Sequence, residues 1–276
     1  MIIWLSSYPK SGNTWVRLFL DNLLSPNKDF DINDNVIGQF PIRSNFLNLS
    51  ENINDQDEFA KYCIEAQQKL NLDNKQKILK THNAFWNWGG GKYTFTNEKN
   101  TLGVIYIVRD PRNIITSVLN YFHKKNYYEA LEFMKENKVL GGNEDEIGLP
   151  TIIGSWSNHY KSWKKFKKNF LNIKYENLLE NPLEEFSKIT NYLKNISDFK
   201  FENNNILKAI EECSFDNMSK QEDRFGFNDN SKRNKLLNRK FFNLGPNNKW
   251  QDILDNEIKV KIEKIFNSEM RELGYL

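Results

Sequence analysis

The chain has 276 residues, of which 39% are hydrophobic, 14% aromatic and 27% charged, and its formal net charge is +3. This composition is typical of a soluble globular protein, and the length suits one large domain with a buried core. The charge is too small to indicate a nucleic-acid partner, and no run approaches the roughly 18 consecutive apolar residues of a membrane span.

The N-terminal third predicts two strands, two helices and two long loops. Residues 1–6 predict a buried strand, which resembles no secretory leader, so we expect a cytoplasmic protein. A helix is expected over about 13–24 and another over 58–70, with a polar loop at 27–58 between them. KILKTH (77–82) predicts a short buried strand, and 86–100 is a loop with glycine and aromatic residues.

The stretch 101–122 is the clearest pair of elements. Leu102 to Val108 is a continuous apolar run, typical of a parallel strand that is covered on both faces. Asp110 and Pro111 favour a helix start, and the apolar residues after them repeat with a period of 3.6. Downstream, helices are predicted at 127–137, 153–166 and 182–193, with a strand and turn at 170–178.

The C-terminal region combines a polar segment with an amphipathic one. Residues 219–238 are polar and basic, and we predict that they are mobile. Residues 252–273 predict one amphipathic helix, whose apolar face carries Ile258, Ile262, Ile265, Phe266, Met270 and Leu273. Strands that alternate with helices predict an α/β fold: a single domain over 1–276, with a central parallel sheet flanked by helices.

The segment WLSSYPKSGNTW (4–15) joins the first strand to the first helix. A helix N-terminus presents unpaired N–H groups to an anion, Gly12 permits a close backbone approach, and Lys10 adds a positive charge. Ser11 and Thr14 add hydroxyl donors, so we interpret the loop as a phosphate cradle. It is not the nucleoside triphosphate loop, in which the lysine follows the second glycine. Alone, such a glycine motif is more often an ordinary turn.

A second candidate anion site follows the strand at 102–108. Arg109 lies at the carboxyl end of that strand, where ligands of open α/β sheets bind. Ser117 lies eight residues later, about two turns into the next helix. The two side chains can converge on one anion, although each alone is more often a solvent-exposed residue.

Together these stretches resemble the cytosolic-type sulfotransferases, which use 3′-phosphoadenosine 5′-phosphosulfate (PAPS). That family has a Y-P-K-S-G-x-T-W loop for the 5′-phosphosulfate and an R-x(7)-S element for the 3′-phosphate. Further matches are Lys80-Thr81-His82, Tyr175-Glu176-Asn177-Leu178 with Asn181-Pro182, Ser214-Phe215 with Met218, and the terminal MRELGYL. They occur in the family's order along nearly the whole chain.

The resemblance implies a role for each matching residue. Lys10 stabilises the leaving phosphate, Lys80 the transferring sulfuryl oxygens, and His82 is the base. Trp15 and Phe215 enclose adenine, and Tyr175 contacts it. The implied catalytic residues are Lys10, Lys80, His82 and Ser117; the implied cofactor-binding residues are Lys10, Ser11, Gly12, Asn13, Thr14, Trp15, Arg109, Ser117, Tyr175, Ser214, Phe215, Met218, Phe242 and Gly245. PAPS is the implied donor, and no metal is expected.

The chain departs from the family at its last motif, R-K-G-x-x-G-x-W-K. The aligned residues are 243–251, in which Gly245 and Trp250 remain while Asn243 and Leu244 replace both cations. Arg239 and Lys240 lie just upstream and can supply the missing charge. The alternative is that the basic run, which also includes Lys232, Arg233 and Lys235, is a solvated face.

The acceptor is expected to be a small molecule that carries a hydroxyl or an amine; lipid and saccharide acceptors also fit. Loops 27–58, 86–100, 124–155 and 219–238 are expected to form its pocket and the cofactor cap. The aromatic residues there line a pocket or simply pack the loops: Trp86, Trp88, Tyr93, Phe95, Tyr127 and Tyr128. Two alternatives stay open, a nucleotide-type kinase and a catalytically impaired PAPS-binding relative. The oligomeric state is not predicted.

Overall fold

The computed structural model describes residues 1–142, 148–230 and 232–276. The strands are β1 (Ile2–Ser7), β2 (Gly38–Gln39), β3 (Lys77–Thr81), β4 (Asn87–Trp88), β5 (Tyr93–Thr94), β6 (Thr101–Val108), β7 (Lys138–Leu140), β8 (Thr151–Gly154) and β9 (Phe170–Lys174). The helices are α1 (Asn13–Leu24), α2 (Gln56–Asn71), α3 (Pro111–Tyr121), α4 (Tyr127–Lys135), α5 (Trp156–Lys164), α6 (Tyr175–Glu180), α7 (Pro182–Ile196), α8 (Asn203–Glu212), α9 (Phe215–Phe225), α10 (Lys232–Leu236), α11 (Trp250–Ile253), α12 (Asn256–Ile265) and α13 (Asn267–Glu272). Two 3-10 turns occupy Arg43–Phe46 and Gly245–Asn247.

A five-stranded parallel sheet in the order β2-β3-β1-β6-β9 forms the centre of the fold. The predicted α/β class with a central parallel sheet is therefore confirmed. All six residues of β1 are buried, as expected for the middle strand of a sheet that is covered on both faces. Because parallel strands end at the same edge, the segments after β1, β3, β6 and β9 meet there.

Helices cover both faces of this sheet and create two apolar cores. The alternation of β1 sends Trp4 into a core with residues of α2, α5 and α12. Ile3 and Leu5 point to the opposite face, where they pack with residues of α1, α7 and α8. The sheet is thereby fixed from both sides, and its carboxyl edge provides a rigid base for the loops.

Two boundary predictions were wrong. Ile153 belongs to β8, which pairs with β7, and the helix begins only after Ser155, whose hydroxyl caps it by accepting from the Asn158 N–H. The single helix predicted at 252–273 is divided into α11, α12 and α13, because Asp255 caps a new start through the Ile258 N–H. Ile265, assigned to the apolar face, is 38% exposed.

The segment at 219–238, whose mobility stays a prediction, contains helical structure. Its first part completes α9 and its last part includes α10, while residue 231 lies outside the described residues. The helix α8 was not predicted, because its asparagine-rich start hides its apolar face.

Cys63 and Cys213 are both buried free thiols in different cores. Within the described ranges, no three His, Cys, Asp or Glu side chains group as metal ligands would. Among the same residues, none of the helices has the length and apolar character needed to cross a membrane.

Candidate active site

A cavity of about 750 Å³ opens at the carboxyl edge of the central sheet. The strand ends supply Lys10 after β1, Lys80 and His82 at β3, Arg109 after β6 and Tyr175 after β9. The cavity is also lined by Asp229, by Asn248 and by the segment from Phe241 to Pro246. The fold thus assembles in one place residues that are far apart in the chain.

The loop between β1 and α1 turns sharply at two residues with left-handed backbone angles. Lys10 and Gly12 adopt left-handed backbone angles, with φ of 70° and 100°. A Cβ atom on Gly12 would lie 2.4 Å from Cδ2 of Tyr175, so only glycine fits. Gly12 is the N-cap of α1, and no side chain caps that helix start. Its N–H groups and helix dipole therefore face the cavity unopposed.

Lys10 places a buried ammonium group in this loop, in contact with two aromatic rings. Its ammonium lies 4.1 Å from the ring centre of Tyr121 and 4.0 Å from that of Phe241. In the described part of the chain, no carboxylate forms an ion pair with it. Burial, together with repulsion from Arg109 and Lys80, lowers the pKa of Lys10 to about 7. The Lys10 ammonium is therefore paired with aromatic rings rather than with a counter-ion.

Arg109 and Ser117 both line this cavity. The Arg109 Nη1 donates to the Lys10 carbonyl oxygen at 3.1 Å, and its guanidinium stacks 4.1 Å above the ring of Tyr175. The buried Nε of Arg109 has no hydrogen-bond partner. This donor is free to bind an anion oxygen, and a buried donor without a partner is costly otherwise.

Asn248 stands where the family motif has its second glycine, and it alters the floor beside Ser117. Its amide donates to the Asn113 carbonyl oxygen at 2.8 Å and to the Ser117 hydroxyl at 3.5 Å. The Thr116 hydroxyl donates to the Asn248 Oδ1 at 2.7 Å. Asn248 therefore fastens the segment after Gly245 to α3, and the Ser117 hydroxyl can still donate to a ligand.

His82 lies at the end of β3 with one ring nitrogen tied to the backbone. Its Nδ1 lies 2.9 Å from the Ser7 carbonyl oxygen, which can only accept, so Nδ1 carries the hydrogen. The lone pair of Nε2 is then available as a base. Burial is the main cause that lowers the pKa of His82 to about 3, and the neighbouring Lys80 lowers it further.

His159 forms a hydrogen bond with the backbone of His82. Its Nε2 donates to the His82 carbonyl oxygen at 3.2 Å, which leaves Nδ1 to accept from the Tyr106 hydroxyl at 2.9 Å. The side chains of His159 and Tyr106 are both fully buried. Sequence reasoning missed this support, because neither residue lies near His82 in the chain.

Lys80 is part of an ion cluster that the sequence did not reveal. Its ammonium lies 3.6 Å from Oδ2 of Asp229, and the same oxygen accepts from Nη2 of Arg17 at 2.9 Å. Arg17 also lies 3.9 Å from Asp21, whose pKa is raised to about 6 by burial. Asp229 comes from the polar segment 219–238, where one aspartate among many polar residues gives no signal.

The opposite end of the cavity is aromatic. Trp15 meets Tyr175 edge to face, with ring centres 5.8 Å apart. A Cβ atom on Gly245 would lie 2.3 Å from the ring of Phe215, so this glycine packs directly on the ring. The predicted residues that line this end are Trp15, Tyr175, Phe215, Met218, Phe242 and Gly245. A flat ring system fits such a surface.

The segment 239–242 is held over the cavity by Glu222. This carboxylate accepts from the N–H groups of Phe241 at 2.8 Å and Phe242 at 2.9 Å. Lys240 lines the cavity and pairs with Asp223 at 2.5 Å.

Arg239 was the preferred substitute for the missing cations, but it does not line the cavity. Its guanidinium donates to the Asn120 carbonyl oxygen at 3.0 Å. The structure therefore places Lys240 nearer to the site. Leu244 lines the cavity without a charge, and Lys235 lies on the exposed surface.

The loops contribute unequally to the cavity wall. Segment 27–58 supplies Gln39, Pro41, Ile42 and Arg43, and segment 124–155 supplies Leu140, Gly141, Gly148, Leu149 and Thr151. Residues 143–147 of that second segment lie outside the described residues. No described residue of 86–100 lines the cavity.

The six aromatic residues proposed for the acceptor pocket lie elsewhere. Trp86 and Phe95 are buried in the apolar core, Trp88, Tyr93 and Tyr127 pack against it, and Tyr128 is exposed. Of the predicted site residues, Ser11 and Ser214 also fail to reach the cavity wall. Ser11 is fully buried behind the loop, and Ser214 is the N-cap of α9.

Comparisons with known proteins match nearly the whole chain. The model of the sulfotransferase domain family matches residues 2–274. Flavonol 3-sulfotransferase of Flaveria bidentis is 22% identical over 99% of this chain and 82% of that protein. Cytosolic sulfotransferase 16 of Arabidopsis thaliana is 22% identical over 98% and 76%.

Solved structures show the same fold. A mouse sulfotransferase, SULT7A1, complexed with PAP superposes with a TM-score of 0.57 at 20% identity, over 98% of this chain and 84% of that one. A retinol dehydratase in complex with androsterone and the inactive cofactor PAP gives 0.57 at 15% identity, over 98% and 80%.

Proposed function

We propose that this chain, which belongs to the sulfotransferase domain family, moves the sulfuryl group of PAPS onto a hydroxyl or amine of a small molecule. The family membership makes it a sulfotransferase; the donor site, the residue roles and the acceptor class are the proposal. One observation carries it: Lys10, Lys80, His82, Arg109 and Ser117 all line one cavity, at the edge where ligands of such sheets bind.

The residues that are present fit PAPS. Arg109 keeps a buried Nε without a partner, Trp15 a buried indole N–H, and Gly12 leaves a cradle that a Cβ atom would fill. The uncapped start of α1 and Lys10 would hold the 5′-phosphosulfate. Arg109 and Ser117 would hold the 3′-phosphate, and the rings of Trp15 and Phe215 would enclose adenine. PAPS supplies the activated sulfuryl group.

The chain's residues would then divide the chemistry. His82 Nε2 takes the proton from the acceptor oxygen or nitrogen as that atom bonds to sulfur. Lys10 neutralises the charge that appears on the departing 5′-phosphate when its bond to sulfur breaks. Lys80 stabilises the oxygens of the group in transfer. Lys10 would stabilise the transition state more than the bound donor, because additional negative charge develops on the phosphate as its bond to sulfur breaks.

The acceptor side of the cavity is mixed. Pro41, Ile42, Phe122 and Leu149 give it apolar walls, while Arg43 and Thr151 add polar groups. The relative from Flaveria bidentis is named for a flavonol acceptor, and a planar ring with a hydroxyl suits these walls. We therefore propose a small apolar molecule as acceptor. A cytoplasmic location stays a prediction.

The kinase alternative depended on Asp110 as the carboxylate that would bind magnesium. Asp110 was the only candidate at the strand ends, and it caps α3 by accepting from the Arg112 N–H at 2.8 Å. The same carboxylate pairs with the Arg112 guanidinium at 2.7 Å. Because both oxygens are engaged inside the fold, Asp110 is poorly placed to hold magnesium.

Thermal unfolding with three ligands tests the proposal. A ligand that binds only the folded state raises the melting temperature by mass action. Adenosine 3′,5′-bisphosphate (PAP) is expected to raise it strongly in the presence of EDTA, and adenosine 5′-phosphate weakly, because the latter lacks the 3′-phosphate. ATP with magnesium is the comparison for a kinase. Equal or stronger stabilisation by ATP and magnesium would refute the proposed donor.

A further inference from the structure

Asp229 places a carboxylate beside the lysine that is proposed to bind the sulfuryl group. Its Oδ2 lies 3.6 Å from Lys80 Nζ and 2.9 Å from Arg17 Nη2. Two cations that converge on one oxygen form an anion site, and here the protein's own side chain occupies it. The side chain of Asp229 is 29% exposed and lines the cavity, whereas Arg17 is 3% exposed.

The loop that carries Asp229 is fixed on both sides, so the contact is part of the fold. Upstream, the Asn33 side chain donates to the Gly226 carbonyl oxygen and accepts from the Asn228 N–H at 2.8 Å. Downstream, the Asn230 amide donates to the Arg239 carbonyl oxygen at 2.8 Å. The backbone thus holds the Asp229 carboxylate next to Lys80, and only rotation of its side chain takes it away.

We propose that Asp229 is a specificity-determining residue that occupies the sulfuryl subsite on Lys80 until the donor displaces it. The inference rests on the proposed function, which brings the sulfuryl group to Lys80. A carboxylate and a sulfuryl group are both anionic and compete for the same ammonium. Arg17 keeps the displaced carboxylate paired, so the carboxylate keeps one counter-ion when it leaves Lys80.

This arrangement makes the protein respond differently to donor and product. PAPS carries the sulfuryl group and must displace the carboxylate, whereas PAP lacks that group and leaves the Lys80–Asp229 pair intact. Asp229 therefore weakens binding of the donor relative to the product. It also supplies Lys80 with a counter-ion once the sulfuryl group has been transferred.

Titration calorimetry with PAPS and with PAP tests the inference, without an acceptor and at one ionic strength. Asp229→Asn removes the charge, while its amide oxygen can still accept from Arg17. We expect PAPS to bind this variant about tenfold more tightly, since no carboxylate then has to be displaced from the Lys80 ammonium, and PAP to bind within twofold of the wild type. Asp229→Glu keeps the charge and is expected to bind PAPS as the wild type does.

Two controls isolate the contact. Asp198→Asn removes one negative charge from an exposed residue outside the cavity wall, and it is expected to change neither affinity. In Lys80→Met the further change Asp229→Asn should no longer favour PAPS, because the carboxylate then has no ammonium to release. If the gain persists in that background, the competition is not for Lys80 and the inference fails.

Three other results of these titrations would contradict either the inference or the proposed function. Unchanged or weaker PAPS binding in Asp229→Asn, with PAP binding preserved, would overturn the inference. If Asp229→Asn and Asp229→Ser both lose PAPS and PAP alike, the carboxylate is a structural brace and the inference also falls. If the wild type binds neither nucleotide, the proposed function itself fails, and that result is read before any variant is compared.

Discussion

The affinity for PAP should fall as the pH rises above neutrality, because the charge on Lys10 is only just maintained in the ligand-free protein. Burial lowers the pKa of this ammonium to about 7, with smaller contributions from Arg109 and Lys80. The protonated form attracts the phosphate, and the neutral form does not. Binding of an anion therefore raises the pKa of Lys10 and takes up a proton when the pH exceeds 7.

The size of the change in PAP affinity follows from the rise in the pKa of Lys10 on binding. Each unit by which binding raises the pKa corresponds to 1.36 kcal/mol, or about tenfold in affinity. Above pH 7 and below the pKa of the complex, the affinity should fall by about tenfold for each pH unit. The affinity must fall rather than rise with increasing pH, because the complex binds one more proton than the free protein. His82, whose pKa is about 3, does not titrate in this range.

Calorimetry between pH 7.5 and 9 provides the assay. The phosphate groups lose their last proton near pH 6, so the ligand keeps a constant charge over this interval. Two buffers of different ionisation enthalpy, compared at pH 8, should reveal uptake of nearly one proton per PAP. Lys10→Arg is the matched control, because a guanidinium stays charged at every pH used. Its affinity should vary little, without proton uptake. Equal pH slopes in the wild type and in Lys10→Arg would refute the reasoning.

Five substitutions separate the roles of other residues in or near the site. His82→Gln should remove most turnover while PAP affinity stays within a few-fold, as measured by steady-state assay and calorimetry; lost affinity with preserved turnover would contradict the role. Arg109→Ala should weaken PAP binding by about 1.5–3 kcal/mol, or roughly 10- to 150-fold, because a charged hydrogen bond is lost. Lys240→Ala should weaken PAP but spare adenosine 5′-phosphate, whereas Arg239→Ala should affect neither; the reverse pattern would restore Arg239 as the substitute cation. Gly12→Ala should lower both PAP affinity and the free energy of unfolding, the latter by about 1–3 kcal/mol in urea titration, and normal binding would contradict the close packing on Tyr175.

The sequence predicted most of the fold because its strong signals are local. The run Leu102–Val108 and the Asp110-Pro111 helix start depend on neighbouring residues alone, and the structure has β6 and α3 there. The helices at the C-terminal end of the chain were harder to predict. Asp255 interrupts an apolar pattern that continues across it, so periodicity alone gave one helix where the capping bond produces a new start.

The position of Arg109 in the cavity was predictable from a cation at a strand end, and that of His82 from the family resemblance. The site was not predictable where a contact joins distant segments. Asp229 meets Lys80 only because a loop anchored on Asn33 returns over the cavity, and Tyr121 meets Lys10 only because α3 runs beneath the loop. Neither contact leaves a pattern in the chain.

Burial first, and the neighbouring lysines second, would make His82 a weak base before a donor arrives. His82 lies in a buried site with Lys80 and Lys10 close by, and both disfavour a second positive charge on its ring. A donor with several negative charges would pair with these lysines and remove the repulsion, which raises the pKa of His82 and hence its basicity. In the proposed mechanism, an imidazole that gains basicity when the donor is bound would take the acceptor's proton more readily when there is a sulfuryl group to transfer. The proposed site would thereby couple proton removal to the presence of the group that the acceptor receives.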